Sequence, residues 1–486
     1  MSASLEQNGK GQRIGLALIA CLWPLLLAGC PDTGGRPDNG TPREVDLTLL
    51  VVDDPALAAA IGQLGGEWCA LSGFDFHVEQ MSQEEVDAQE AISADAVVCP
   101  SCQVGGFAEK AGVAPLPDNL LESDEGRWSE IFSLLRVRET VWGKEVVGVP
   151  FGSPVFVIYY RPDLLEKLDR RPPQTWTEYR ELAELLLDRN NLGDKAPPDD
   201  APWTGAIEPL GPGWAAVVLL ARAAPYARHR ENYSTMFSVD TMEPLIDGPP
   251  FVRALEELVA ATASGPPGQL TYDPAAARAA FWEGRCGLAL SWPSAAADSA
   301  PAGKNVPVGL AELPGSAEAY DVGEGAWETR PPDDDPHVPL LGTAGRLGVV
   351  LASSKSPEAA FQLLWWLSEE QSTQLAPSSP ATTLFSNVHI ESPNAWVEEQ
   401  IPPAVAAQYA ELTQQTLSRP QWLFAVRLPG RRKYLAALDE AVRRAVEGQQ
   451  SPEQALRQAA ASWREITEQL GPESQRKAYW NSLGLE

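Results

Sequence analysis

The sequence is poor in the residues that build metal sites and nucleophilic active sites. Its 486 residues include only four histidines and six cysteines, and the histidines lie far apart along the chain. Cys99 and Cys102 have no second cysteine or histidine pair at the spacing that a zinc site requires. The G-x-S-x-G, H-E-x-x-H and P-loop motifs are missing. We therefore predict no metal, no cofactor and no enzymatic activity.

Positive charge is also scarce. The chain has 37 lysines and arginines against 66 aspartates and glutamates, which gives a formal net charge of −29 at pH 7. A negative field of this kind repels nucleic acids and anionic lipid surfaces, so we predict no nucleic-acid partner. The 16 tryptophans, in contrast, favour a site that stacks on a flat apolar ligand face.

The apolar run near the N-terminus, Ile14–Leu27, follows Lys10 and Arg13. It is shorter than the ~20 residues that a membrane span needs. Two small residues and then Cys30 follow it, a pattern typical of a lipoprotein cleavage site. We predict that residues 1–29 are a signal peptide and that Cys30 carries the lipid. An uncleaved anchor and an ordinary secretory signal are the alternatives.

The segment after the predicted cleavage site is rich in glycine, proline and polar residues. Residues 30–42 are therefore predicted to be a flexible tether. A body held this way lies outside the cytoplasm, in the periplasm or at the cell surface, and is attached to a membrane by its lipid.

The body of the chain has an α/β pattern. Predicted strands at Val45–Val52, Phe74–Gln80 and Asp95–Cys99 alternate with helices, which indicates a mostly parallel sheet. The long apolar segment Gly148–Tyr160 is interrupted by glycine and proline, and we interpret it as a crossover between two lobes. Residues 313–339 are rich in proline, glycine and acidic residues and are predicted to form a long surface loop.

Four segments, in order, resemble the signatures of one protein family. They are Val149–Glu178, with its Tyr159-Tyr160 and Pro172-Pro173-Gln174-Thr175-Trp176, then Ala280–Leu288, Lys355–Ser368 and Ala437–Leu456. The chain resembles the family 1 extracellular solute-binding proteins, which are the receptor subunits of ABC importers. The resemblance implies an α/β, two-lobed fold of the periplasmic-binding-protein type (type II), with the ligand cleft between the lobes.

Within this fold, we expect lobe 1 to comprise residues 43–152 and 306–385, and lobe 2 to comprise residues 153–305 and 386–486. The resemblance further implies capture of a small polar solute, most often a carbohydrate, for delivery to an ABC permease. We expect the protein to act as a monomer. In parallel α/β sheets, ligands bind outside the carboxyl ends of the strands, so the cleft should lie where two such edges face each other.

Several polar residues are candidates because of their position at predicted strand ends. Asp53 and Asp54 follow the first strand and could accept hydrogen bonds from sugar hydroxyls, although capping of the next helix explains them equally well. Ser101 follows the third strand, and Ser153 lies in the crossover. All four are predicted to contact the ligand.

Further candidates come from the resemblance. Glu208 and Trp214 match the loop that carries ligand-stacking aromatic residues in maltodextrin receptors, with core packing as the alternative for Trp214. Trp292 follows a predicted strand at Cys286–Ser291, again at a carboxyl edge. Tyr434 lies where sugar receptors carry aromatic residues before the penultimate helix, and Arg427 in the preceding loop could bind hydroxyls or carboxylates.

The cysteine pair supports a rival hypothesis, a thiol-disulfide oxidoreductase, because Cys99 and Cys102 lie between a strand and a helix start. If either cysteine forms a disulfide, we predict that the two pair with each other. Cys69 would be ~20 Å from Cys99 at the far end of the first helix, beyond disulfide reach. Cys69 and Cys286 should be reduced and buried. A surface hydrolase and a scaffold lipoprotein with a collapsed cleft are the remaining alternatives.

Overall fold

The computed structural model describes residues 46–122, 127–232, 234–296 and 306–485. The predicted signal peptide, the lipidated Cys30 and the tether lie outside these ranges. No helix in the described ranges is both long enough and apolar enough to cross a membrane.

The strands of the described residues are numbered in chain order. They are β1 (Asp46–Val52), β2 (Asp75–Met81), β3 (Ala96–Pro100), β4 (Val141–Trp142), β5 (Glu145–Val146), β6 (Gly148–Gly152), β7 (Val157–Tyr160), β8 (Thr204–Ile207), β9 (Cys286–Ser291), β10 (Gly309–Glu312), β11 (Glu318–Asp321), β12 (Ala326–Thr329), β13 (Leu340–Leu341), β14 (Arg346–Val350) and β15 (Leu423–Phe424).

The α-helices are numbered in the same way. They are α1 (Pro55–Gln63), α2 (Gly65–Ser72), α3 (Gln83–Ala88), α4 (Val104–Ala111), α5 (Asp118–Leu121), α6 (Pro162–Lys167), α7 (Trp176–Leu187), α8 (Arg189–Leu192), α9 (Ala215–Ala227), α10 (Pro249–Ala261), α11 (Pro274–Trp282), α12 (Pro357–Glu369), α13 (Ser372–Leu375), α14 (Asn387–Ile390), α15 (Pro403–Thr416), α16 (Arg431–Val446), α17 (Pro452–Leu470) and α18 (Pro472–Leu483).

The first sheet has the strand order β2-β1-β3-β14-β6. β1 is parallel to β2 and to β3, which confirms the parallel β-α-β-α-β unit expected from the sequence. β14 runs antiparallel to both β3 and β6, so the whole sheet is mixed. The last four residues of β1 are buried, and this explains its continuous apolar sequence, because helices cover both faces of such a strand.

The second sheet has the order β10-β7-β9-β8. β8 is parallel to β9, and β7 is antiparallel to β9 and to β10. The expected crossover is confirmed, because β6 belongs to the first sheet and β7 to the second. Only residues 153–156 separate these strands. Five residue steps span at most roughly 18 Å, so the edge where β6 ends must lie close to the edge where β7 begins.

The two adjoining edges are both carboxyl edges. β1, β3 and β6 run in one direction in the first sheet, so their last residues share the edge from which the link departs. β7 is antiparallel to β9, and its first residue therefore lies beside the last residue of β9. The side chains that follow the strands of both sheets thus point towards one region.

A helical layer supports the second sheet. All thirteen residues of α9 are buried, so this helix is surrounded by other elements, as its mostly apolar sequence indicates. Its one charged residue, Arg222, is paired with Glu208. α16 packs on α17, and Tyr434, Trp463 and Phe237 form an aromatic cluster between them and the 234–237 loop. Thr175 caps the start of α7, because its hydroxyl accepts a hydrogen bond from the backbone N–H of Glu178.

Four sequence-based expectations differ from the structure. The segment 313–339 is not only a loop, because it contains the antiparallel hairpin of β11 and β12, whose Trp327 packs against Tyr226. The first predicted helix is two helices separated at Leu64. The C-terminal helix α18 was not predicted. β10, which the expected boundary at residue 306 places with lobe 1, pairs with β7 of the second sheet.

Gly205 in β8 offers a test of how closely α7 packs on the second sheet. A Cβ atom added there would lie 1.9 Å from the backbone oxygen of Ala183. We expect Gly205→Ala to lower the free energy of unfolding by roughly 1–3 kcal/mol, because backbone must move. Gly66→Ala in α2, where nothing lies within 4 Å, should instead raise it by roughly 0.5–1 kcal/mol. Urea denaturation of both variants measures the difference, and equal effects would contradict this packing.

Candidate ligand-binding site between the two sheets

An aromatic cluster lies at the carboxyl edge of the second sheet. Phe156 precedes β7 and Trp292 follows β9, and their ring centroids are 5.6 Å apart. Trp214, just before α9, lies 5.5 Å from Trp292 and 6.2 Å from Phe156. The structure thus brings together the two tryptophans that the sequence proposed as ligand contacts. It also pairs them with each other, so much of each aromatic surface is already covered.

The surroundings of this cluster are tightly packed. Trp292 is 5% exposed, and its indole N–H donates a hydrogen bond of 2.7 Å to the carbonyl of Pro380. The cavity beside Phe156 has a volume of only about 30 Å³, which is room for a water molecule rather than a sugar. Trp214 or Trp292 could therefore stack on a ligand only if the carboxyl edges of the two sheets moved apart. The contact of these tryptophans with a ligand stays a prediction.

A buried polar cluster lies at the carboxyl edge of the first sheet. Ser153, after β6, donates a hydrogen bond of 2.6 Å to Oε2 of Glu139. Ser101, after β3, lies on the other side of this carboxylate. A Cβ atom added to Gly345 would meet Oε1 of Glu139 at 2.9 Å and Oγ of Ser101 at 3.2 Å. The carboxylate is fully buried, and burial raises its pKa, whereas the two serine hydroxyls and Arg427 act in the opposite direction.

Arg427 joins this cluster from the segment between β15 and α16. Its guanidinium donates to the backbone carbonyls of Glu139 (2.8 Å), Arg138 (3.3 Å) and Val141 (3.3 Å). The side chain is 2% exposed, and burial lowers its pKa to about 10. Three of the predicted site residues, Ser101, Ser153 and Arg427, are therefore brought together around Glu139.

Glu139 itself was not found from the sequence. Glu139 ends a short π-helical turn, Leu135–Glu139, and such turns often occur at functional sites. No motif marks it, because the turn depends on tertiary contacts such as the hydrogen bond from the backbone N–H of Leu134 to the carbonyl of Leu417.

A cavity with a volume of about 230 Å³ adjoins this cluster. It lies among four segments: residues 137–141 leading into β4, Arg228 with residues 234–237 after α9, residues 422–428 around β15, and residues 479–484 at the end of α18. The first segment leads into the first sheet, and the second follows the helix after β8 of the second sheet. Arg427 contributes to both the polar cluster and the cavity wall.

Trp422 forms an aromatic wall of this cavity. The guanidinium carbon of Arg138 lies 4.2 Å from the centroid of its ring, and that of Arg228 lies 5.4 Å away. The hydroxyls of Ser234 and Tyr479 are hydrogen-bonded to each other at the opposite part of the lining. The cavity therefore combines aromatic faces, hydroxyl groups and three guanidinium groups.

The two aspartates after β1 have internal partners. Asp54 caps α1 by accepting a hydrogen bond of 3.1 Å from the N–H of Leu57, and its other oxygen lies 3.2 Å from Nη2 of Arg346. Asp53 has a positive φ of 55° and accepts a bond of 2.8 Å from the N–H of Gln83. The capping alternative thus describes Asp54 in this structure, and a ligand contact by either residue stays a prediction.

Glu208 and Tyr434 also have structural partners. Both carboxylate oxygens of Glu208 accept bonds from Nη2 of Arg222, at 2.7 and 2.8 Å. The hydroxyl of Tyr434 bonds to Thr467 at 2.9 Å, and its ring packs within the helical layer. The structure does not join either residue to the cluster around Glu139, so their contact with ligand stays a prediction as well.

The four described cysteines are free thiols. Cys99 and Cys102 are buried, and burial raises the pKa of Cys99 to about 12. A thiol-exchange enzyme needs an accessible thiolate, so the oxidoreductase alternative gains no support. Cys286 is buried as expected, but the expectation for Cys69 was wrong, since it is only half-buried on α2, where few elements cover the helix.

One group of residues has side chains suited to a metal ion. Ligand atoms of His229, Asp321 and Glu328 lie within 4.8 Å of one another, and β11 and β12 supply two of them. The protein itself provides partners for these atoms. His229 bonds to Glu328 at 3.1 Å and accepts from the N–H of Glu231, while Asp321 accepts from the N–H of Gly323. These contacts account for the group without an ion.

The buried carboxylate offers a test of the polar cluster through pH. Because the folded-state pKa of Glu139 is raised, ionisation costs stability as the pH rises from the unfolded pKa, about 4.3, towards the folded one. We expect Glu139→Gln to match the parent protein at low pH and to be more stable at pH 8. The gain should be about 1.4 kcal/mol for each pKa unit between folded and unfolded states.

Denaturation of the Glu139 variants at both pH values provides the measurement. Glu139→Ala is the control, because it leaves the Ser153 hydroxyl without its acceptor and should be destabilised at either pH. A Gln variant that is less stable at pH 8 would show that the ionised carboxylate stabilises the fold.

Comparisons with known proteins agree with this architecture. Similar solved structures include an ABC transporter solute-binding protein from Agrobacterium radiobacter K84 in complex with ribitol (18% identity, 88% of this chain and 100% of that chain, TM-score 0.63). Maltose-bound MalE3 of T. maritima (17%, 87% and 100%, 0.60) and the sugar-binding protein MalE of Xanthomonas citri (15%, 88% and 98%, 0.63) are also similar. At these identities the likeness shows the fold, which is two-lobed and α/β as expected.

No curated protein sequence matches the chain. The model of one family, described as bacterial extracellular solute-binding protein, matches residues 86–374, more than half of the sequence. Together with the fold, this match shows that the chain belongs to the bacterial extracellular solute-binding protein family.

Proposed function

We propose that this protein captures a small polar solute, a sugar or a polyol, and delivers it unchanged to an ABC permease. The observation that carries the proposal is the cavity of about 230 Å³ between segments that lead to the two sheets. Its wall combines an aromatic face, Trp422, with hydroxyl and guanidinium groups. Sugars offer both an apolar face for stacking and hydroxyls for hydrogen bonding, so this lining suits them.

The size of the cavity favours a small ligand. Sites for drug-sized molecules occupy about 300–1,000 Å³, and this cavity lies below that range. A monosaccharide or a linear polyol therefore suits it better than an oligosaccharide. Among the similar structures, one contains ribitol and another contains D-mannitol, and these polyols are of the proposed size class.

α18 bridges the parts of the molecule on either side of the cavity. The carbonyl of Asn481 accepts a hydrogen bond of 2.9 Å from the N–H of Gly143, next to β4. Tyr479, two residues earlier, packs its ring at 5.3 Å from Phe237 in the segment after α9. We infer that entry of a solute requires these two sides to separate, and that a bound solute favours the closed state by contacting both.

We further propose that a lipid on Cys30 holds the protein outside the cytoplasm, near the permease. The support is the sequence pattern of an apolar run followed by small residues and Cys30. The flexible tether at residues 30–42 would let the body reach the permease while it stays on the membrane surface.

Solute capture is tested by thermal unfolding with a panel of neutral and charged monosaccharides and polyols. A ligand that binds only the folded protein stabilises it by ~2.7 kcal/mol at a hundredfold excess over Kd. We expect at least one panel member to raise Tm, and Trp422→Ala to abolish the shift. Trp365→Ala is the matched control, because Trp365 is another half-buried tryptophan outside the cavity. A panel without any shift would refute the proposal.

Anchoring is tested by fractionating bacterial cells that express the full chain. We expect Cys30→Ser to move the protein from the membrane fraction to the soluble fraction, since the modified thiol is lost. Cys69→Ser should leave the protein in the membrane fraction. If the Cys30 variant also stays with the membrane, the uncleaved-anchor alternative is favoured.

A further inference from the structure

The cavity carries positive charge within a strongly acidic protein. Arg138, Arg228 and Arg427 line it, whereas none of its described lining residues is an aspartate or glutamate. The chain as a whole has 66 acidic residues against 37 basic ones. We propose that the captured solute is an anionic sugar or polyol, bearing a carboxylate or a phosphate that these guanidinium groups bind. This inference rests on the proposed function and specifies its ligand.

The environment of Arg427 is unusual among the buried arginines. Six arginines are buried in the described ranges, and five of them lie within 4 Å of a carboxylate. These pairs are Arg222 with Glu208, Arg278 with Glu398, Arg330 with Asp334, Arg346 with Asp54 and Arg419 with Glu312. Arg427 has no such ion pair among the described residues.

Backbone carbonyls satisfy only part of the Arg427 guanidinium. Its two Nη atoms donate to carbonyl oxygens, and its Nε has no hydrogen-bond partner in the described ranges, as is also true of Nε in Arg222, Arg330 and Arg346. What distinguishes Arg427 is the missing ion pair. The nearby carboxylate of Glu139 is bound by Ser153 and lies beyond ion-pair distance. Glu139 interacts with Arg427 electrostatically but does not form an ion pair with it. A buried cation without a directly paired counter-ion is costly, so an external anion in the adjoining cavity would be stabilised there.

Arg138 provides a second group of the same kind. Its guanidinium stacks over the ring of Trp422 at 4.2 Å. This contact orients the guanidinium plane but does not neutralise its positive charge. No carboxylate within the described residues forms an ion pair with it, and its buried Nε has no hydrogen-bond partner there. Arg228 lies over the same tryptophan at 5.4 Å and bonds to the carbonyl of Asn232.

The chemistry of these groups selects the class of anion. A guanidinium group presents a planar fork that binds carboxylate or phosphate oxygens in pairs. Trp422, which lines the same cavity as these groups, offers apolar surface for the carbon skeleton of a sugar. A monosaccharide-sized molecule with one anionic group therefore contacts both the guanidinium groups and the apolar surface of the lining. A neutral sugar uses only the apolar surface.

The test compares solutes that differ only in charge, by isothermal titration of the purified mature chain. D-glucuronate is paired with D-glucuronamide, D-gluconate with D-sorbitol, and D-glucose 6-phosphate with D-glucose. We expect one anion to bind at least about tenfold more tightly than its neutral counterpart, because charge-assisted hydrogen bonds are lost in the latter. The carboxylate and phosphate arms distinguish the two sources of charge.

Two variants test whether the anion binds in this cavity. Arg138→Gln should weaken binding of the anion about tenfold or more and leave any neutral sugar unaffected. Arg136→Gln is the matched control, because Arg136 lies in the same π-helical turn but outside the cavity lining.

The parent protein also provides a test that needs no variant. Added salt should weaken binding of the anion and not of its neutral counterpart, since mobile ions screen the attraction.

The outcomes separate this inference from the proposed function. Neutral members that bind as tightly as the anions would overturn the inference and leave solute capture standing. An anion that binds equally well to the parent and to Arg138→Gln would overturn the assignment of this cavity. No binding by any solute would overturn both.

Discussion

The short link between the two sheets is the constraint on which the arrangement of the candidate site depends. Residues 153–156 connect the end of β6 to the start of β7, and so few residues cannot separate the sheets by more than roughly 18 Å. Because each sheet presents its carboxyl edge to the link, residues that follow distant strands converge. Ser101 and Ser153 on one side, and Trp292 on the other, owe their positions to this connection.

Charge balance is the second constraint. Burying an ion is tolerated where an opposite charge and hydrogen bonds compensate for the lost hydration. Most of the buried arginines meet this requirement within the chain, through carboxylates that are often distant in sequence, such as Asp54 for Arg346. Arg427 meets it only with backbone carbonyls. Among the buried arginines of the described residues, the one without an ion pair is therefore the one that lines the cavity of about 230 Å³, and this difference distinguishes the cavity from an ordinary core.

Packing at the second sheet explains why the two candidate tryptophans do not by themselves form a site. Trp214 and Trp292 contact each other and Phe156, and the cavity beside them is small. An aromatic residue at the carboxyl end of a strand has two ways to bury its surface, against a ligand or against other rings. Here the rings bury each other, and the tryptophan that lines the cavity of about 230 Å³ is Trp422.

The sequence by itself determined the parallel unit of β1, β2 and β3, the crossover at 153–156 and the candidacy of Ser101, Ser153 and Arg427. Local periodicity and the positions of strand ends are encoded by residues close together in the chain. Only the tertiary structure decided that these residues meet around Glu139 and that Trp422 with Arg138 walls the cavity. Those contacts join segments up to 289 residues apart. No local pattern records them, because they arise from packing between elements.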